Sequence, residues 1–177
     1  MVAGRTTRAP PRAAAASVPI KVQVFNHAWQ VRSENWRDSH NKEKLERVIP
    51  VFRALISDDT QDRFHMNHGQ LGFALKDKLP PDWDEAEKEL TRAIEIRGSS
   101  SEHGWLFYEF NRAYCRIMSD PAYVQGHSSG SELRAKIIED LQVAAQAEDV
   151  ERIMESDPVI KKWMHLNSIT HESLRTG

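Results

Sequence analysis

Residues 68–98 read HGQLGFALKDKLPPDWDEAEKELTRAIEIRG. Leu71, Gly72 and Leu75 fall on one side of a helical period, and so do Ala86, Leu90 and Ala93. Leu79, Pro80 and Pro81 stand between the two runs, where no helix continues. The stretch therefore predicts two antiparallel helices joined by a tight turn. Gly72 and Ala86 carry little or no side chain, so the helix axes can approach closely there. A leucine at either place overfills the crossing. Gly72→Ala is expected to be tolerated, because helix propensity improves by up to ~1 kcal/mol as one methyl is added. Asp82 or Asp84 caps the second helix, and Gly98 supplies the left-handed residue that closes it.

Working outward, helical spacing predicts a first helix over 20–38, with Val22, Phe25, Trp29 and Trp36 in line and Arg32 continuing it. A second helix is predicted over 41–57, striped by Leu45, Val48, Phe52, Leu55 and Ile56. Pro50 lies inside it and bends rather than stops it, because the stripe continues. The helix bearing Gly72 starts at Asp59 or Thr60. A fifth helix covers 102–118 and ends ahead of Pro121. Residues 119–131, rich in Ser, Gly and Pro, read as a long loop. A sixth helix over 131–147 places Leu133, Ile137, Leu141 and Ala144 on one side. The remainder reads as two short helices broken at Asp157 and Pro158.

The chain has 177 residues, 40% hydrophobic and 28% charged, with a net charge of −2. That suits one folded domain and gives no basic footprint for nucleic acid. No apolar run reaches the ~20 residues of a membrane-spanning helix. Cys115 is the one cysteine. It has no disulfide partner within the chain, which points to a reducing compartment, taken as the cytoplasm. Residues 1–33 hold no Asp or Glu, and Arg5, Arg8 and Arg12 stand among Ala, Pro and Thr. This predicts a disordered basic tail; organelle import through the Arg-rich N-terminus is the alternative.

The 68–98 hairpin resembles a tetratricopeptide (TPR) repeat, whose pattern is W-x2-L-G-x2-Y followed by A-x3-F and a helix breaker. GWLFYEFNRAYCRI, residues 104–117, resembles the first helix of a second unit, with Phe110, Asn111 and Tyr114 in the places of Leu71, Gly72 and Leu75. The offset, 111 minus 72, is 39 residues against a period of about 34. The second unit departs from the pattern at Asn111, at Ile137 and in its long loop. The resemblance implies an all-α fold, antiparallel helical hairpins stacked as a short TPR-like array with an atypical C-terminal helical cap. The divisions are a tail at 1–19, an N-terminal hairpin at 20–57, TPR-like hairpins at 58–147 and a cap and tail at 148–177.

The resemblance also implies an interaction module, an adaptor or scaffold, whose first helices line a groove. In the 102–118 helix, Phe107, Phe110, Asn111 and Tyr114 are expected to point into the hairpin. Trp105, Tyr108, Arg112 and Arg116 are then the partner-binding face. Met66, Gly69, Phe73 and Lys76 continue it on the preceding helix. The alternative is that Trp105 and Phe73 pack beneath the neighbouring hairpin or the cap. The expected partner is a protein or peptide, acidic by the Lys76, Arg112 and Arg116 charges, with no membrane and no nucleic acid; self-association is the other outcome. No nucleophile, base and acid can be assembled, so neither enzymatic activity nor a cofactor is expected. The rival reading is a metal-dependent helical enzyme using His65, His68 and His103. It lacks a Cys pair, an H-E-x-x-H motif and a dense carboxylate cluster.

Overall fold

The computed structural model describes residues 18–98 and 106–175. Among them are ten α-helices, a 3₁₀ turn at Ser39–Asn41 and no strand. The helices are α1 (Ile20–Asn35), α2 (Lys42–Asp58), α3 (His65–Asp77), α4 (Trp83–Arg97) and α5 (Phe107–Ser119). After them come α6 (Pro121–Val124), α7 (Ser131–Ala144), α8 (Glu148–Ser156), α9 (Pro158–Leu166) and α10 (His171–Arg175). The all-α class is thus established. Residues 1–17 of the basic tail, residues 99–105 with His103 and Trp105, and residues 176–177 lie outside the described residues.

Local chemistry fixes the helix ends. The Asp82 carboxylate accepts the Glu85 N–H at the start of α4, and Gly98 closes that helix at φ 67°. Asp157 accepts the N–H groups of Val159 and Ile160, with Pro158 in the first turn of α9 where its missing donor costs nothing. α2 runs through Pro50 without a break. Two expectations are corrected. α3 begins at His65 rather than at Asp59 or Thr60, because the Asp59 carboxylate accepts the N–H groups of Arg63 and Phe64 and holds the chain in a turn. The 119–131 loop is interrupted by α6, capped by Asp120, which accepts the Ala122 N–H.

Each long helix packs mainly on its neighbours in sequence, α1 on α2, α2 on α3, α3 on α4, α4 on α5, and α5 on α7. α3 also touches α1 and α5, so these three form one layer, with α2, α4 and α7 behind. Two apolar clusters result. One joins Phe52, Leu71, Leu75, Leu90 and Tyr108 between α1 and α5. The other joins Ile117, Ile137, Leu141, Met154 and Trp163 around α7, α8 and α9. α5 contributes to both, Tyr108 and Cys115 to the first, Phe110, Ala113 and Ile117 to the second.

Two glycines of α3 let it sit close to other elements. A Cβ built on Gly69 would enter the Tyr108 ring. One built on Gly72 would stand 2.7 Å from Leu90 Cγ and 3.2 Å from the Ala86 carbonyl oxygen. This overturns the expected tolerance of Gly72→Ala, since Leu90 is fully buried and has nowhere to retreat. The methyl's steric conflict outweighs its gain in propensity. Gly72→Ala should lose about 1–3 kcal/mol of stability in urea denaturation, the usual cost of overfilling a core. Unchanged stability would mean that α3 and α4 do not meet there.

Candidate functional site

The layer of α1, α3 and α5 carries a groove of about 1160 Å³. Each helix contributes one stripe at a spacing of three or four residues. α1 presents Phe25, Trp29 and Arg32, continued by Trp36 at its C-cap; α3 presents Met66, Gln70, Phe73 and Asp77; α5 presents Phe107, Phe110, Asn111 and Tyr114. Ile153, Ser156, Asp157 and Pro158, at the α8–α9 junction, close the far side. The α1 stripe is the apolar line of the sequence, but it faces a cleft. Trp29 and Trp36 remain 46% and 37% exposed.

The groove's polar groups differ in how they are satisfied. The Lys76 ammonium pairs with Asp77 and lies 5.1 Å from the Tyr114 ring centroid. Asn111 donates its side-chain N–H to the Phe107 carbonyl oxygen at 2.7 Å. Arg32 stacks its guanidinium over Phe73, 5.0 Å from the centroid, and its buried Nε finds no acceptor. Burial presses the Arg32 pKa below its usual value, with Asp77 opposing the shift. Gln70 is 4% exposed, and its Oε1 has no donor.

The residues expected to bind a partner divide sharply. Phe73 and Lys76 border the groove. Trp105 lies outside the described residues. Tyr108, Arg112 and Arg116 are placed on the opposite side of α5 from the cleft, so the expected exposure of this face is corrected. Tyr108 is fully buried against Gly69 and Phe73, and burial pushes its hydroxyl pKa up. Gly69 accordingly faces Tyr108 rather than the groove. Arg112 holds Asp140 at 2.5 Å, while Arg116 reaches Asp140 at 2.8 Å and Glu87 at 2.7 Å. The Phe107, Phe110, Asn111 and Tyr114 face is the one that lines the cleft. Two arginines on a helix suggested solvent; their counter-charges lie on α4 and α7. The usable signal was Asp140, which sits within the Ile137–Leu141–Ala144 stripe and brings a charge to a buried face.

Burial raises the Asp140 pKa more than hydrogen bonds from Arg112 and the charges of Arg112 and Arg116 lower it. Removing one member of a buried ion cluster leaves the others uncompensated. Asp140→Asn should therefore cost roughly 3–5 kcal/mol in chemical denaturation. A loss below 1 kcal/mol would place Arg112 and Arg116 in contact with water.

The histidines of the rival reading are differently occupied. His68 Nδ1 lies 2.6 Å from Glu89 and Nε2 lies 2.8 Å from Asp62, whose other oxygen accepts from Arg92 Nε at 2.7 Å. His65 Nδ1 lies 3.1 Å from the Tyr108 hydroxyl. His103 is outside the described residues. Among those described, no three of His, Cys, Asp and Glu are grouped to hold a metal ion.

Both His68 nitrogens can donate only in the imidazolium. Burial opposes that charge, but the hydrogen bonds and charges of Glu89 and Asp62 together outweigh it and hold the pKa above 6.5. A pKa raised on folding stabilises the folded state most at low pH. The contribution of His68 should be complete below pH 6.5 and vanish as pH rises through its elevated pKa. The difference in melting temperature between the wild type and His68→Gln should shrink across that window. A difference constant with pH would show that His68 is neutral in the fold. No family model, curated protein or solved structure matches the chain.

Proposed function

We propose that this chain is a protein-interaction module, an adaptor or scaffold that takes a peptide or protein segment in the α1–α3–α5 groove. The observation that carries the reading is the set of three aromatic-bearing stripes, one per helix, facing a common cleft with Trp29 and Trp36 half-open to solvent. Tryptophan, tyrosine and arginine supply most of the energy at protein interfaces. The TPR resemblance supports the same reading, because first helices line the cleft of such arrays.

The module is assigned to the cytoplasm, where a lone cysteine stays reduced. No helix among the described residues is long and apolar enough to cross a membrane. The histidine-metal reading receives no comparable support, since both nitrogens of His68 already face carboxylates.

A photo-crosslinking amino acid at position 29 or 36 should form adducts with a partner in a lysate of the native source. The same group at exposed Lys88, on α4, should not. Equal labelling from both positions would remove the groove from the interaction.

A further inference from the structure

Arg32 is a half-buried cation with a buried Nε, and the nearby Asp77 carboxylate acts on it by charge without pairing with it. Its guanidinium makes no hydrogen bond or ion pair among the described residues, and it is held in place by stacking on Phe73. Elsewhere the interior arginines are matched, Arg97 by Glu109 and Arg112 and Arg116 by Asp140. Gln70 stands one turn before Phe73 on α3, lines the same cleft, and has a buried Oε1 without a donor. A cation without a hydrogen-bonded anion and an amide oxygen without a donor thus stand near one aromatic ring in a groove lined by aromatic and polar side chains. Buried polar groups are ordinarily satisfied, so two without partners beside one cleft call for an explanation, and a bound group that reaches them supplies one.

The missing partners define the ligand's chemistry. A guanidinium fork matches a planar carboxylate, and stacking on Phe73 fixes the fork's plane beforehand. A main-chain N–H supplies the donor that Gln70 Oε1 lacks. Trp29, Phe25 and Phe107 offer apolar surface beside both. Asp77 and Asp157 also border the groove, and the Asp77 charge acts on Arg32. A single negative charge is therefore better accommodated than a doubly charged phosphate. We propose that the groove selects a peptide segment bearing an aspartate or glutamate next to a bulky apolar residue, its carboxylate seated on Arg32 and its backbone N–H on Gln70. This specificity rests on the groove reading above.

A display library of random linear peptides, selected against the full chain, tests it. The selected peptides should share an Asp or Glu at a fixed place beside Trp, Phe, Leu or Met. Amidating that residue in the peptide, Glu to Gln, should weaken binding by about tenfold or more, the scale of a lost charged hydrogen bond. In Arg32→Gln the same peptide change should have no further effect, because the two groups form one contact. Should Arg32→Gln not fold, Arg32→Lys serves in the same cycle: it retains charge but loses the planar fork, so the Glu-to-Gln penalty should shrink without vanishing, and an undiminished penalty would overturn the site.

Binders that depend on Trp29 and Trp36 yet share no acidic position would overturn the carboxylate site and leave the groove standing. A full Glu-to-Gln penalty persisting in Arg32→Gln, or tighter binding of phosphoserine than of glutamate, would also overturn it. No binders, or binders indifferent to Trp29→Ala with Trp36→Ala, would remove the groove reading itself and this specificity with it.

Discussion

Asp140 brings a carboxylate into the interior, and the rotation of α5 follows from meeting it. Arg112 and Arg116 lie one turn apart, so the helix must turn both toward α7 at once. That orientation buries Tyr108 on the α3 side and sends Phe107, Phe110, Asn111 and Tyr114 into the cleft. Ionic contacts of this kind add little net stability compared with apolar side chains, but they penalise any arrangement that separates the charges. Here the penalised arrangement is α5 rolled about its axis, with the arginines in water and the aromatic stripe withdrawn.

The second constraint is spacing. Gly72 admits Leu90 and the Ala86 carbonyl, and Gly69 admits the Tyr108 ring. Small residues on α3 therefore set its distance from α4 and from α5. The cleft occurs where side chains on the remaining side of these helices do not interlock. α3 is the common wall of the hairpin behind it and the groove in front, and Phe73 belongs to both the packed cluster and the groove lining.

Much of the fold was legible in the chain. The 68–98 hairpin announced itself through Gly72, Ala86 and the prolines between, because apolar period and turn chemistry are local. The break at Asp157–Pro158 was equally plain. The start of α3 was not, since the Asp59 carboxylate captures two backbone donors and the helix begins five or six residues later than Asp59 or Thr60. At the groove, Phe73 and Lys76 border the cleft, with Phe73 buried beneath Arg32 of α1, and the face of α5 was inverted. A helix with aromatic residues on both sides and arginines on one has no preferred face until Asp140 is placed opposite. Arg32 and Gln70 were invisible as unmet groups, because satisfaction of a polar atom is a property of its neighbours.

Cys115 gives the molecule a built-in clock. It is the one thiol in 177 residues, fully enclosed in the α1–α5 cluster, with burial lifting its pKa to about 12. In the closed structure a thiol reagent meets neither an accessible sulfur nor a thiolate. Alkylation must therefore wait for α5 to separate from α3 or α4, and its rate counts those separations. Because the same helix carries one wall of the groove, an occupant bridging α1, α3 and α5 slows the clock without touching the sulfur.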